Sequence, residues 1–240
     1  MSNEEKFTGK SENYAKFRPT YAKEALLQLS KIRGKAADIG AGTGIFTKLL
    51  VEHGFEVLAV EPNPDMRQHL LKIPSITILP HTAEATGIPT ETIDLITVAQ
   101  AFHWFDVKSF QKECQRILKR HGKVALIWNQ RDENSGFFLD YGKINKKHCP
   151  LFKDFNHEQA LSRITSFYRE GTFTVQAFPN PDFLSQEEFI GRALSSSYAP
   201  RLGEPNYKGF MEDLEGLFKA YQVGGTLEYP NVTTLYLGSV

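Results

Sequence analysis

The chain has 240 residues, 41% of them hydrophobic, and its 28 basic and 28 acidic side chains leave a formal net charge of zero. Such a length and apolar content support one large domain, or a domain with a lid. Balanced charge gives no bulk attraction to nucleic acid or an anionic membrane. The two cysteines, Cys114 and Cys149, do not staple a chain this long and suit a reducing compartment.

Residues 1–33 read as an N-terminal arm and first helix. Phe7, Tyr14, Phe17 and Tyr21 are too many aromatic side chains for a free tail. Helical spacing of Ala25, Leu26 and Leu29 predicts a helix from Pro19 or Thr20 to Lys31. Strands are expected at Ala36–Ile39, Glu56–Val60, Ser75–Leu79, Ile93–Val98 and Lys123–Trp128. Helices are expected at Thr43–His53, from Pro64 to before Pro74, and from Phe105 or Asp106 to Arg120, closed by His121-Gly122. Strand and helix alternate as in a parallel sheet with helices on both faces, over a core at 34–130.

Beyond Asn129 the pattern turns more polar. Helices are expected at Asn134–His148, His157–Tyr168, from Ser185 to Leu194 behind a Ser185/Glu188 capping box, and at Tyr207–Tyr221. Phe173–Phe178 and Val232–Leu237 read as late strands completing the sheet, so 131–240 combines substrate-covering helices with the last strands. The N-terminus carries no apolar signal-peptide core, and no apolar run is long enough to span a membrane. The expected location is the cytoplasm, with no nucleic-acid or membrane partner; oligomeric state is left open.

The most informative stretch is Ala37-Asp38-Ile39-Gly40-Ala41-Gly42-Thr43-Gly44, a strand that ends in three alternate glycines and opens into a helix. Bare main chain there lets backbone N–H groups approach a ligand. Glu61, at the end of the second strand, is placed to hold a ribose diol. The single-residue gaps between the glycines depart from the dinucleotide spacing, and no Gly-Lys-Ser/Thr follows to cradle a triphosphate. Asp38 would repel a pyrophosphate but favour an ammonium group. It either lies beside the amino-acid end of a nucleoside cofactor or ties down loop N–H groups. The histidines and cysteines show no metal-ligand spacing, and no serine elbow is present.

These residues, with Val60-Glu61-Pro62-Asn63-Pro64-Asp65-Met66, Ala83-Glu84, Ala99-Gln100-Ala101-Phe102-His103-Trp104-Phe105 and Arg116-Ile117-Leu118-Lys119, resemble the class I S-adenosylmethionine-dependent methyltransferases. The likeness covers roughly residues 10–130 and is nearest the ubiquinone-biosynthesis and trans-aconitate small-molecule branch. It implies a Rossmann-like, doubly wound, mostly parallel sheet of seven strands, the last antiparallel and inserted beside its neighbour, with a partly helical C-terminal lid insertion.

The resemblance also implies roles. Asp38, Gly40, Gly42 and Gly44 surround the methionine part of S-adenosylmethionine, and Glu61 holds both ribose hydroxyls. Asn63 and Met66 lie near the adenine, although Met66 equally suits helix packing. Ala83 and Glu84 meet the adenine's amino edge, unless Glu84 is a solvated acid. Gln100 sits beside the sulfonium. Tyr14 and Arg18 close over the cofactor or dock the arm. His103 is a base or orienting donor, or else caps the next helix. Trp104 packs under the cofactor or lid, and Arg131 contacts an anionic substrate or lies free on the surface. The expected function is in-line methyl transfer to a small-molecule acceptor, a carboxylate or other oxygen among the options. An NAD-dependent oxidoreductase and a non-catalytic cofactor-binding regulatory protein are the alternatives.

Overall fold

The computed structural model describes residues 20–152, 157–194, 196 and 198–240. They form two compact units, one comprising the described residues of 20–129, 157–178 and 233–240, the other those of 130–152 and 179–232.

The first unit is built on a seven-stranded sheet. Its strands are β1 (Lys35–Ile39), β2 (Glu56–Val60), β3 (Ile76–Leu79), β4 (Ile93–Ala99), β5 (Leu118–Arg131), β6 (Phe173–Pro179) and β10 (Asn231–Gly238), in the order β3-β2-β1-β4-β5-β10-β6. The last strand is thus inserted between β5 and β6. Parallel pairing runs from β3 through to β5, with Asp38 of β1 opposite Ala59 on one side and Thr97 on the other.

Successive residues of these strands enter opposite cores, because strand side chains alternate with a period of two. Ala37, Ile96 and Val124 pack on one face with Phe110, Cys114 and Ile117 of a helix at Val107–Ile117 (α4) and with Ile164 and Phe167 of another at His157–Phe167 (α6). Ala36, Leu95 and Ala125 pack on the other with α1 (Lys23–Leu29) and α2 (Ile45–Glu52), through Leu26, Leu29, Phe46 and Leu50. Burial on both faces accounts for the nearly unbroken apolar strands. The chain winds outward from β1 to β3, then crosses back to β4 on β1's other side. The loops after β1 and β4 therefore diverge and leave a crevice at the strands' carboxyl ends.

The first helix begins at Lys23, later than its apolar spacing suggested. A larger departure lies at the end of α4, which stops at Ile117, and the chain enters β5 at Leu118 rather than continuing helically to Arg120. The register jumps from Ile93 opposite Leu118 to Leu95 opposite Lys123, so the pairing shifts within the strand. Gly122 does not cap a helix. A Cβ there would lie 3.1 Å from the carbonyls of both Ile93 and Lys119, which only glycine avoids.

The second unit holds α5 (Gly136–His148), α7 (Gln186–Leu194) and α8 (Tyr207–Tyr221). It also contains a small sheet of β7 (Asp182–Leu184), β8 (Gln222–Val223) and β9 (Thr226–Tyr229), in the order β7-β9-β8. Strands this short escape periodicity, and no expectation covered them. Aromatic side chains dominate the core here, Phe137, Phe138, Tyr141, Phe189, Phe210 and Tyr229 among them.

The capping box forms as expected. Glu188 N–H donates to Ser185 Oγ at 3.3 Å, and Ser185 N–H donates to Glu188 Oε2 at 2.8 Å. Ser185→Ala should therefore lower stability by about 1 kcal/mol, read as a reduced urea midpoint at unchanged m-value. A shift indistinguishable from zero would contradict the cap.

Candidate active site

The crevice holds a cavity of about 340 Å³. Its walls come from the glycine loop, the end of β2, the Thr82–Glu84 segment and the turn after β4. Among the expected residues, Gly40, Gly42, Glu61, Asn63, Met66, Ala83, Glu84, Gln100 and Trp104 all line it.

The three glycines have φ of +70° (Gly40), +57° (Gly42) and +86° (Gly44), a region L side chains rarely occupy. Each has a different second reason to lack a side chain. A Cβ on Gly40 would lie 2.7 Å from Ala101 Cβ, and one on Gly44 would collide with Leu70 and Ile73. A Cβ on Gly42 would meet nothing within 4 Å. Gly40 and Gly44 are bare so that the protein can close on itself, whereas Gly42 leaves open space at the cavity wall.

Glu61 is buried at the cavity wall and holds the loop across it. Its Oε2 accepts Gly42 N–H at 2.8 Å, and its Oε1 accepts Asn63 N–H at 2.8 Å. Asn63 in turn is the N-cap of α3 (Pro64–Leu70), with Oδ1 accepting from Asp65 N–H and Met66 N–H. Pro64 at the first helical position leaves no N–H to satisfy. Met66 is buried and faces the cavity, so packing in α3 and lining the pocket are one role.

Asp38 is fully buried and is not part of the lining. Its carboxylate accepts from Thr47 Oγ1 at 2.6 Å and from Thr97 Oγ1 at 2.8 Å, so it ties hydroxyls of α2 and β4 rather than loop amides. Desolvation by burial dominates and pushes its pKa up to about 6; the two hydroxyls pull down, and nearby Glu61 adds a smaller upward push. Thr43, between the second and third glycines, has a buried hydroxyl with no hydrogen-bond partner.

Gln100 turns the chain off β4 at φ +61°, a conformation costing about 1 kcal/mol for a non-glycine residue. Its N–H donates to Ile127 O and its Nε2 to Asn129 O, which fix the turn at the cavity edge. Glu84 Oε1 accepts Asp106 N–H at 3.0 Å, and Asp106 caps α4 through Ser109 N–H. That cap is Asp106 and not His103. His103 lies on a 3₁₀ turn at Phe102–Trp104, exposed, with its ring 4.6 Å from that of Trp104, and it is not part of the lining. Gly44 is likewise outside the lining and serves as the N-cap of α2. Arg131 belongs to the second unit, and Tyr14 and Arg18 lie outside the described residues.

Sequence reasoning missed Thr47 and Thr97, the partners of Asp38, and also Thr82, Ala99 and Ala101. The alanines flanking Gln100 were a usable signal, since a glycine that must touch its neighbour needs a small residue opposite. Among the described residues no group of three or more His, Cys, Asp or Glu is placed to hold a metal ion, and no helix is long and apolar enough to cross a membrane.

The family described as "Methyltransferase domain" matches residues 37–126, the stretch from β1 to β5 that carries this crevice. An uncharacterized methyltransferase-like protein of Schizosaccharomyces pombe is 30% identical over 187 residues, 76% of this chain and 72% of its own. This chain belongs to the class I S-adenosylmethionine-dependent methyltransferases. An uncharacterized methyltransferase of Mycobacterium tuberculosis is 38% identical over 133 residues, so the match spans about half of each chain. Among solved structures, a candidate type II methyltransferase from Anaeromyxobacter dehalogenans shares the fold, with a TM-score of 0.66 at 24% identity over 92% of this chain and 96% of that one.

The methyltransferase cavity fits the family's nucleoside. Open space beside Gly42, an orphaned hydroxyl on Thr43 and a carboxylate at the end of β2 are features a closed, purely structural loop would lack. For Asp38 the proton linkage has a definite sign. Its folded pKa, about 6, lies above the ordinary 3.8, so the native state holds the proton more tightly. The stabilising contribution is complete below the ordinary value and is lost as pH rises through about 6. At neutral pH the ionised form then costs on the order of 3 kcal/mol. Asp38→Asn should flatten the part of the stability profile that falls between pH 4 and pH 7, measured as urea midpoints across that range. An unchanged slope would contradict the burial argument.

Proposed function

We propose that this methyltransferase transfers the methyl group of S-adenosylmethionine to an oxygen of a small-molecule acceptor. The observation that carries the reading is the cavity itself, where a side-chain-free amide at Gly42, the Glu61 carboxylate and a small apolar wall meet in one crevice. Bound S-adenosylmethionine supplies an electrophilic methyl on a sulfonium.

The chain's own residues supply binding, orientation and exclusion of water. Gly40 and Gly42 hold the methionine portion, with the buried Thr43 hydroxyl next in the loop and Asp38 behind them as a costly buried negative charge that an ammonium would stabilise. Glu61 holds the ribose hydroxyls through oxygens that each already accept one backbone N–H. Those bonds fix the carboxylate's direction before ligand arrives. Met66 and Ala83 cover the adenine, and Glu84 and Asn63 stand at its polar edge. Gln100, Trp104 and Phe105 form the wall nearest the end of β4 and dehydrate the reacting centre, so positioning and electrostatic fit lower the barrier. A carboxylate acceptor needs no base. His103 is the nearest imidazole in sequence to that wall for an acceptor that must lose a proton.

The small-molecule assignment is supported by the motif resemblance to the small-molecule branch and by the balanced charge of the chain. An NAD-dependent oxidoreductase is disfavoured by the single-residue glycine gaps.

Trp104 reports on the cavity, so ligand binding should change tryptophan fluorescence. Titration is expected to show binding of S-adenosylmethionine and its demethylated product, with NAD weaker by about two orders of magnitude. Glu61→Ala should weaken the first two about tenfold or more. Gly42→Val should abolish their binding while the protein stays folded, because the added atoms enter open space at a backbone cost of about 1–2 kcal/mol. Preference for NAD, or undiminished affinity in Glu61→Ala, would overturn the reading.

A further inference from the structure

Arg131 is exposed, yet its guanidinium lies over the rings of Phe138 and Tyr141, 5.6 and 5.8 Å from their centroids. Among the described residues it makes no ion pair with any carboxylate. The neighbouring Arg192, by contrast, is paired with Asp182 at 2.7 Å. What surrounds Arg131 instead is phenol. The hydroxyls of Tyr141, Tyr198 and Tyr229 are its electrostatic neighbours.

None of these three hydroxyls has a hydrogen-bond acceptor among the described residues, and that of Tyr198 is buried as well as unpartnered. It stands beside the guanidinium, which is a donor only and so gives the phenol's proton no acceptor. Burial pushes the phenols of Tyr141 and Tyr229 up, so both remain protonated donors at neutral pH. The second unit thus gathers one fork-shaped cation and three O–H donors with no acceptor to receive them. A buried donor without an acceptor is costly in a finished core, and the Tyr198 hydroxyl is one, with the hydroxyls of Tyr141 and Tyr229 and the exposed guanidinium beside it also lacking a protein acceptor among the described residues. Such a set is the expected form of a site whose acceptor arrives with a ligand.

We propose that Arg131, Tyr141, Tyr198 and Tyr229 form a recognition subsite for the carboxylate of a small organic acid. The guanidinium offers two parallel N–H groups to a planar carboxylate. Arg192 also lies over the Tyr229 ring, at 4.9 Å, but it is paired with Asp182, so the charge left on Arg131 matches a monoanion, and the ring faces of Phe138 and Tyr141 favour an apolar body attached to it. Calling this acid the methyl acceptor rests on the function proposed above; binding of the acid does not.

The test is calorimetric titration of the whole protein, without S-adenosylmethionine, with benzoate, phenylacetate and hexanoate, each against its neutral amide, and with inorganic phosphate. At least one acid should bind about tenfold or more tightly than its amide. Arg131→Met should remove that preference, and Tyr198→Phe should reduce it with the fold intact by circular dichroism. Equal affinity for acid and amide, no binding of any acid, or an acid preference that survives Arg131→Met would overturn the proposal. Phosphate binding more tightly than every acid would overturn the carboxylate assignment. Failure to bind S-adenosylmethionine is a separate result and would sink the methyl-transfer reading alone.

Discussion

One hydrogen bond organises the crevice. The N–H of Gly42 donates to Glu61 Oε2 across the ends of β1 and β2, and both groups sit where their strands run out. For that bond to form, the chain must turn through left-handed backbone at Gly40, Gly42 and Gly44, with Gly40 pressed against Ala101 and Gly44 against Leu70 and Ile73. The parallel register of β1 with β2 brings the two strand ends level. Sheet topology, glycine spacing and the acid at the end of β2 are therefore parts of one constraint, which keeps a stretch of main chain bare and held in place.

The same region is where the fold carries its least favourable groups. Asp38 is a carboxylate with no solvent and only two hydroxyls for company. Thr43 hides an unpartnered hydroxyl, and Gln100 stands in a strained conformation. These departures cluster along the two strand ends that face the crevice rather than being scattered through the core. Local rules broken together at one place mark a site organised for a ligand rather than for stability alone.

Much of this was legible in the sequence where a local rule had no competitor. The strand Glu56–Val60 and the helix Tyr207–Tyr221 have the expected bounds, because Gly54 and the Gly224-Gly225 pair mark their edges and their periods are clear. Ser185 and Glu188 form the box their spacing suggested. The loop and its acid were readable because φ above zero demands glycine. Legibility failed where long-range packing decided. Leu118 leaves a helical pattern to enter the core, so β5 begins early and His121-Gly122 falls within the strand, at its register shift. Asn63 was read for its place beside the adenine, while its helix-capping bonds were overlooked. The unpaired state of Arg131 depends on rings brought together from α5 and β9, which no spacing along the chain reveals.

The most direct test of the central claim is a backbone amide spectrum of the nitrogen-15-labelled protein during titration with S-adenosylhomocysteine. The account predicts that the largest shifts fall on Gly40, Gly42, Asn63, Ala83 and Gln100, with the Gly42 amide the most perturbed as its bond to Glu61 is shared with ligand. Saturable binding that leaves the Gly42 and Asn63 amides unmoved, with shifts concentrated elsewhere, would contradict it.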